Sequence, residues 1–354
     1  MGLSDLAPSV DHDAGDVVPV HGMGCAKNER SGMIRILILA AWVLAAGSLF
    51  AEETTSRTQV VVVVGAEGTP DFGEQFAAWA DNWKTVAEKA DADLSVIGQS
   101  DPGDVNDREQ LKTKIESLPA DGARPVWMLF IGHGTFSRQA AKFNLRGPDV
   151  SAKDLADWIK PIRRPLVIVN CASSSSPFIN KLSGPNRVIV TATKSGSQYN
   201  FSRFGKYFAN AIASIESDLD HDDEVSVHEA FLRASSEVRD FYIAEARIAT
   251  ENALIDDNGD GRGTPAKMFR GVRAISKAKD GAKLDGAFAM RISLSPTGNR
   301  LKLTDDQIKQ RDALEQELDS VRVKKDKMTE AEYDEAIEPI ILKLAKIYQA
   351  AEQK

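Results

Sequence analysis

The stretch Pro125-Val-Trp-Met-Leu-Phe-Ile-Gly-His-Gly134 and its counterpart Pro165-Leu-Val-Ile-Val-Asn-Cys171 decide how the chain is read. Each is a short, unbroken apolar run that stops at a polar residue. Such runs suit strands buried on both faces of a sheet, where no alternation is needed because both sides are covered. Gln59 to Gly65, with its consecutive valines, is a third run, and Arg187 to Ala192 a fourth. Asp93 to Ile97 reads as a further strand. Between them lie helical patterns. Phe76, Ala80, Trp83 and Ala87 recur at helical spacing within Phe72 to Ala90. A polar helix is expected around Asp107 to Leu118. Ser151 and Asp154 stand at capping-box distance at the start of a short helix through Ile159. Phe204 to Ile215 and Val225 to Ala249 complete the series. Strands alternating with helices predict an α/β fold, a three-layer α/β/α sandwich with a mostly parallel sheet.

In such sheets ligands gather beyond the carboxyl ends of the strands. His133, Cys171 and the Lys194 to Ser197 stretch each follow a different predicted strand. That shared position makes them the candidate site.

Composition narrows the function. The chain has 354 residues, 42% hydrophobic and 27% charged, with a net charge of −8. This is ordinary globular composition. The acidic balance and the lack of a basic stripe argue against a nucleic-acid partner. Two cysteines, Cys25 and Cys171, exclude a disulfide framework and a four-cysteine zinc site. Residues 1–32 are polar and Gly-rich. Met33-Ile-Arg35 then opens an apolar run from Ile36 to Phe50, followed by Ala51-Glu-Glu53. This is the pattern of a secretory signal peptide over 33–51, with cleavage near Ala51 and translation starting at Met33, so that 1–32 is a non-native upstream extension. The alternative is an uncleaved N-terminal membrane anchor, for which the run is short of the about 20 residues a span needs. Removing 1–51 takes away five acidic and three basic residues, hence −2, and leaves −6. The expected product is exported, periplasmic or secreted, with no stable membrane insertion. Cys171 is then its one cysteine, either buried and inert or kept for its reactivity.

The histidines of the exported chain are His133, His221 and His228. Of these, His133 sits at a strand end between glycines. A cysteine peptidase needs a thiolate to attack a carbonyl, an imidazole to protonate the leaving amine, and backbone N–H donors for the oxyanion. Cys171 is the candidate nucleophile and His133 the acid/base. The N–H groups of Gly134 and Cys171 are the candidate oxyanion donors.

The order of apolar strand, His-Gly, apolar strand and Cys, with Cys171 following His133 by 38 residues, resembles the legumain/caspase clan of cysteine peptidases. The resemblance covers roughly 58–290 and implies a caspase-like fold, with a caspase-like peptidase domain over 58–295, and an exported thiol protease cleaving peptide or protein substrates. Arg187 to Ser197 resembles the strand and loop that line the clan's substrate cleft. It implies substrate contacts at Thr193, Lys194 and Ser195, whose backbone could pair with an extended peptide. Legumain-type Asn recognition is not carried over. Val169 stands where legumain has an acid, and Phe72-Gly73-Glu74 stands where it has a base. Glu74 or an acid near Asp256 could instead select a basic side chain. The alternative in the same fold is a catalytically silent peptide-binding or interaction module. A serine nucleophile in Ser173 to Ser176 lacks the Gly-x-Ser-x-Gly elbow. Gly65 to Pro70 does not match a dinucleotide-binding loop.

Two acidic stretches complete the reading. Asp218, Asp220, Asp222, Glu224, Ser226 and Glu229 stand at positions 1, 3, 5, 7, 9 and 12 of a calcium loop, with Asp223 where glycine is usual. Asp256, Asn258 and Asp260 begin a second such loop, with Lys267 at position 12. The chemistry needs no cofactor; a calcium ion would be structural. From Leu301 to the end, Leu314, Leu318 and Val321, then Tyr333, Ile337, Ile341, Leu344 and Tyr348, predict an α-helical hairpin over 301–354 that could pair with a second copy.

Overall fold

The computed structural model describes residues 57–100, 103–275, 284–296 and 303–352. The expected upstream extension, the expected signal segment and Cys25 lie outside the described residues.

Strand β1 (Gln59–Val64) lies inside a seven-stranded sheet with β2 (Asp93–Ile97), β3 (Val126–Ile131), β7 (Leu166–Asn170), β8 (Arg187–Thr191), β10 (Leu254–Asp256) and β11 (Thr264–Pro265). The order is β11-β10-β8-β7-β3-β1-β2. β2, β1, β3, β7 and β8 run parallel, β10 runs antiparallel to β8, and β11 runs antiparallel to β10. The valines of β1 divide between two cores. Val60, Val62 and Val64 face one helical layer, while Val61 and Val63 face the other. The first layer holds α1 (Pro70–Lys89), α5 (Phe204–Ala213) and α6 (Val227–Ala244). The second holds α2 (Asp107–Glu116), α3 (Ala152–Trp158) and α4 (Ile179–Leu182). This is the three-layer α/β/α architecture, mostly parallel, that the alternating pattern predicts.

Local chemistry accounts for the helix starts. Pro70 opens α1, where a missing N–H costs nothing. Ser151 and Asp154 form the expected reciprocal capping box. Ser226 and Glu229 form another at α6. Three short strands escaped the pattern: β4 (Gly134–Ser137), β5 (Ala140–Phe143) and β6 (Val150–Ser151) form a small antiparallel sheet. β9 (Glu224–Ser226) takes what the pattern assigns to the loop and the first residues of α6, and pairs with the strand Ser293–Pro296.

The C-terminal hairpin is present as α7 (Asp305–Arg322) and α8 (Glu330–Glu352). Its seam differs from the expected one. On α8 the buried positions are Ile340, Ile347 and Ala351, whereas Ile341 and Tyr348 are exposed. The seam is set by what α8 packs on, and Leu303, Ile308 and Leu314 are its partners. Arg124 ties the hairpin to the sheet by an ion pair to Asp305 at 3.3 Å and a hydrogen bond to the Leu303 carbonyl at 2.9 Å. Among the described residues no helix is long and apolar enough to cross a membrane.

Candidate functional site at the carboxyl ends of β3, β7 and β8

β3, β7 and β8 are neighbours, so His133, Cys171 and Thr193 leave the same edge of the sheet. His133 is half-buried. Its ring lies edge-on to Phe72 and Phe76 of the first helical layer, with centroids 4.9 and 5.2 Å away. Nε2 lies 3.2 Å from the Glu67 carbonyl. Burial lowers the imidazole pKa, and the Glu67 carbonyl offsets part of that.

Cys171 belongs to the same apolar layer and is 2% exposed. It lies beneath α5. A methyl group on Gly205 would sit 2.8 Å from its Cβ, 3.1 Å from its Sγ and 3.0 Å from the Trp79 ring. Burial pushes the thiol pKa up, and the negative charge of Glu251 pushes it further. A thiolate–imidazolium pair needs the opposite, a lowered thiol and a raised imidazole. Among the described residues no hydrogen bond joins Cys171 to His133.

The expected oxyanion donors are engaged elsewhere. The Cys171 N–H donates to the Phe130 carbonyl at 2.9 Å, continuing the β3–β7 ladder. The Gly134 N–H donates to Ser173 Oγ at 3.2 Å, and the same hydroxyl donates to the Gly134 carbonyl at 3.1 Å. The backbone needs glycine there, because a Cβ on Gly134 would meet the Ser173 carbonyl at 2.3 Å. In this arrangement both N–H groups already have an acceptor within the protein.

The serine run is a structural stitch. Ser173, Ser174 and Ser175 are buried. Ser174 takes a left-handed backbone (φ 52°) at the reversal after β7, and its N–H donates to the Gln198 carbonyl at 2.8 Å. Ser175 Oγ accepts the Thr193 N–H at 3.3 Å, and Thr193 Oγ1 accepts the Ser176 N–H at 3.2 Å. Thr193 is therefore fully buried and cannot present its N–H to a peptide. The Lys194 N–H is held by Gln198 Oε1 at 2.8 Å, with the Lys194 side chain exposed. Ser195 Oγ lies 2.7 Å from Ser197 Oγ. Beside them, the half-exposed Phe136 ring of the β4–β5 hairpin presses on Gly196 so closely that no Cβ would fit. Tyr199 stands 77% exposed on the same rim.

Glu251 is a residue the sequence did not single out. It is 1% exposed and accepts from Ser202 Oγ at 2.6 Å, from the N–H groups of Arg203 and Phe204, and from the Tyr242 hydroxyl at 3.2 Å. It thereby caps the start of α5 above Cys171.

Of the first acidic loop, Asp218, Asp220 and Asp222 come together, with carboxylate oxygens within 4.8 Å of one another. Asp218 accepts the N–H groups of His221, Asp222 and Asp223. Burial raises Asp222 to about 6, with the Asp220, Glu224 and Glu229 charges adding to it. The other expected ligands have other work. Glu229 and Ser226 are the α6 capping box, Glu229 also accepts the Leu219 N–H at 2.7 Å, and Glu224 is hydrogen-bonded to Ser293. Of the acids weighed for substrate selection, Glu74 is exposed and Asp256 is buried within its own loop.

No family model matches the chain, and no curated protein matches it. Solved structures similar to it include the Drosophila initiator caspase Dronc, at 13% identity, TM-score 0.39, covering 59% of this chain and 84% of that one. Caspase-1 from Spodoptera frugiperda is similar at 10% identity, TM-score 0.37, covering 57% of this chain and 87% of that one. Both likenesses are distant, and no residue of either protein lends a role to this one.

Proposed function

We propose that this chain is a caspase-like α/β/α module that engages protein or peptide partners at the carboxyl edge of its sheet without cutting them. One observation carries the reading. The Cys171 thiol is sealed under Gly205 and Trp79, raised in pKa, and without a hydrogen bond to His133. A buried thiol in apolar surroundings is inert. The engaged N–H groups of Gly134 and Cys171 point the same way. Phe136, Tyr199 and Lys194 supply an exposed aromatic and cationic rim for a partner.

The second reading is the exported cysteine endopeptidase, working through Cys171 and His133. What favours it is placement: both residues leave adjacent strands at one edge and pack in one layer. Peptidyl acyloxymethyl ketones carrying Asn, Asp, Arg or Lys separate the two. The module predicts no adduct at Cys171 by mass. An adduct that vanishes in Cys171→Ala and weakens in His133→Ala establishes the peptidase and names its preferred side chain.

Export and self-association belong to the same proposal. N-terminal sequencing of the product made by its own cells tests cleavage near Ala51, and a chain beginning near Met1 overturns it. The exposed Ile341 and Leu342 of α8 favour a homodimer through the hairpin. A monomer mass in solution removes it.

A further inference from the structure

Asp256, the last residue of β10, carries a buried carboxylate oxygen without a full hydrogen-bond partner. Asp256 is 1% exposed. Its Oδ1 accepts the Gly259 N–H at 3.2 Å, and the Ser183 hydroxyl lies close to the carboxylate while accepting the Gly261 N–H at 2.9 Å. Oδ2 is buried and accepts no hydrogen bond of full geometry. A buried carboxylate oxygen without a partner costs far more than an exposed one, and a native chain does not leave it so without a reason.

Among the described residues, Asp256, Asp257, Asp260 and Asp285 make no ion pair with Lys or Arg. The two buried neighbours are spent on backbone. Asp257 accepts the N–H groups of Gly286, Phe288 and Ala289, and Asp285 Oδ1 accepts those of Asp257 and Asn258. Asp256 Oδ2 is left over. It opens the run Asp256-Asp-Asn258-Gly-Asp260-Gly261, which spaces oxygen-bearing side chains two residues apart. Asn258 Oδ1 accepts the Asp260 N–H and Asp260 Oδ1 accepts the Arg262 N–H, both at 2.8 Å. Gly261 takes φ 74°, the left-handed turn such a loop needs at its sixth position.

We propose that this loop is a calcium site, with Asp256 Oδ2, the side-chain oxygens of Asn258 and Asp260, and the Arg262 carbonyl as its protein ligands. All are hard oxygen donors on a flexible loop, which favours calcium over the smaller and more rigidly octahedral magnesium. Lys267 stands where a bidentate Glu would close the shell, so water completes it and the affinity is modest, about 0.1 to 1 mM. Bound calcium pairs the orphan oxygen and, through Asp257, steadies the turn at 284–289. The inference is independent of whether the chain cuts peptide.

The test is calorimetry and thermal melting of the full chain, stripped with EDTA, titrated with calcium chloride and separately with magnesium chloride. Asp256→Asn keeps the side-chain shape and the acceptor for Gly259. Asp260→Asn changes an exposed residue and serves if the first variant does not fold. The double variant Asp220→Asn/Asp222→Asn controls for the other acidic loop. Calcium is expected to bind the wild type and the control, to raise their melting temperatures, and to bind the two loop variants at least roughly tenfold more weakly. Magnesium is expected to bind much more weakly than calcium. Absence of heat and of any melting shift up to about 10 mM calcium overturns the proposal. So does calcium binding that survives both loop substitutions, or that is lost only in the control.

Discussion

Gly205 and Cys171 approach so closely that a single added methyl would lie 2.8 Å from the cysteine Cβ. Helix α5 rests on the end of β7 through this contact, and the thiol lies beneath it. Gly205→Ala forces α5 off its seat and is expected to destabilise by about 1–3 kcal/mol. The readout is a lower urea midpoint with an unchanged slope. A midpoint equal to wild type would show that the helix shifts freely.

The same burial makes thiol access a report on opening. In a Cys25→Ser background, Ellman's reagent at mildly alkaline pH is expected to label native Cys171 only as fast as the structure opens, and at once in urea. Immediate labelling of the native protein would mean that the thiol is accessible, and would favour the peptidase.

Ser173 holds Gly134 at both its N–H and its carbonyl. Ser173→Ala strands both groups in a buried place. A loss of about 1–2 kcal/mol is expected by chemical denaturation. If the N–H freed in this way became an oxyanion donor, probe labelling at Cys171 would rise; the module reading expects none.

Glu251 serves four donors at once. Glu251→Ala leaves the first N–H groups of α5 and the Ser202 and Tyr242 hydroxyls without their acceptor. The expected cost is about 2–4 kcal/mol, and Glu251→Gln, which keeps one acceptor oxygen, costs less. Equal stability of the two variants would mean that the charge, not the shape, is what matters.

His228 sets a pH dependence. It is fully buried against Phe269, and neither ring nitrogen makes a hydrogen bond of full geometry. Burial pushes its pKa down to about 4, with the Val272 backbone offsetting only part of the shift. Between about 6.5 and about 4 the unfolded chain therefore takes up a proton that the folded chain refuses. Stability falls as pH drops through that window, by about 3 kcal/mol for this residue, and no further below it. His228→Met removes that share of the slope. Parallel wild-type and variant curves would show that His228 is not responsible.

The sheet was legible because its strands are buried on both faces. Val60 to Val64 and Val126 to Ile131 need no polar positions, so composition alone marks them. β4 and β5 were not legible. They are short and partly exposed, and their sequence, Gly134-Thr-Phe-Ser and Ala140-Ala-Lys-Phe, carries no sustained alternation. The two-residue turn between them uses Arg138 and Gln139 in left-handed conformations, which sequence gives no reason to expect. Spacing placed His133 and Cys171 at neighbouring strand ends. It could not say that the thiol faces Trp79 and Gly205, because those residues come from remote helices. Glu251 was invisible for the same reason: nothing around it in the chain announces what it caps 47 residues earlier.

The strand order has a consequence for how the chain is made. Taken in order of synthesis, β2 joins β1, β3 joins the other side of β1, and β7, β8, β10 and β11 each add to the strand laid down before them. No strand of the main sheet waits for a partner still to be synthesised. A nascent chain leaving its ribosome can therefore extend one growing edge, each new strand covering the last. The growing edge moves forward with synthesis and ends at the two residues of β11, too short to template another chain, while β2 stays as the other edge.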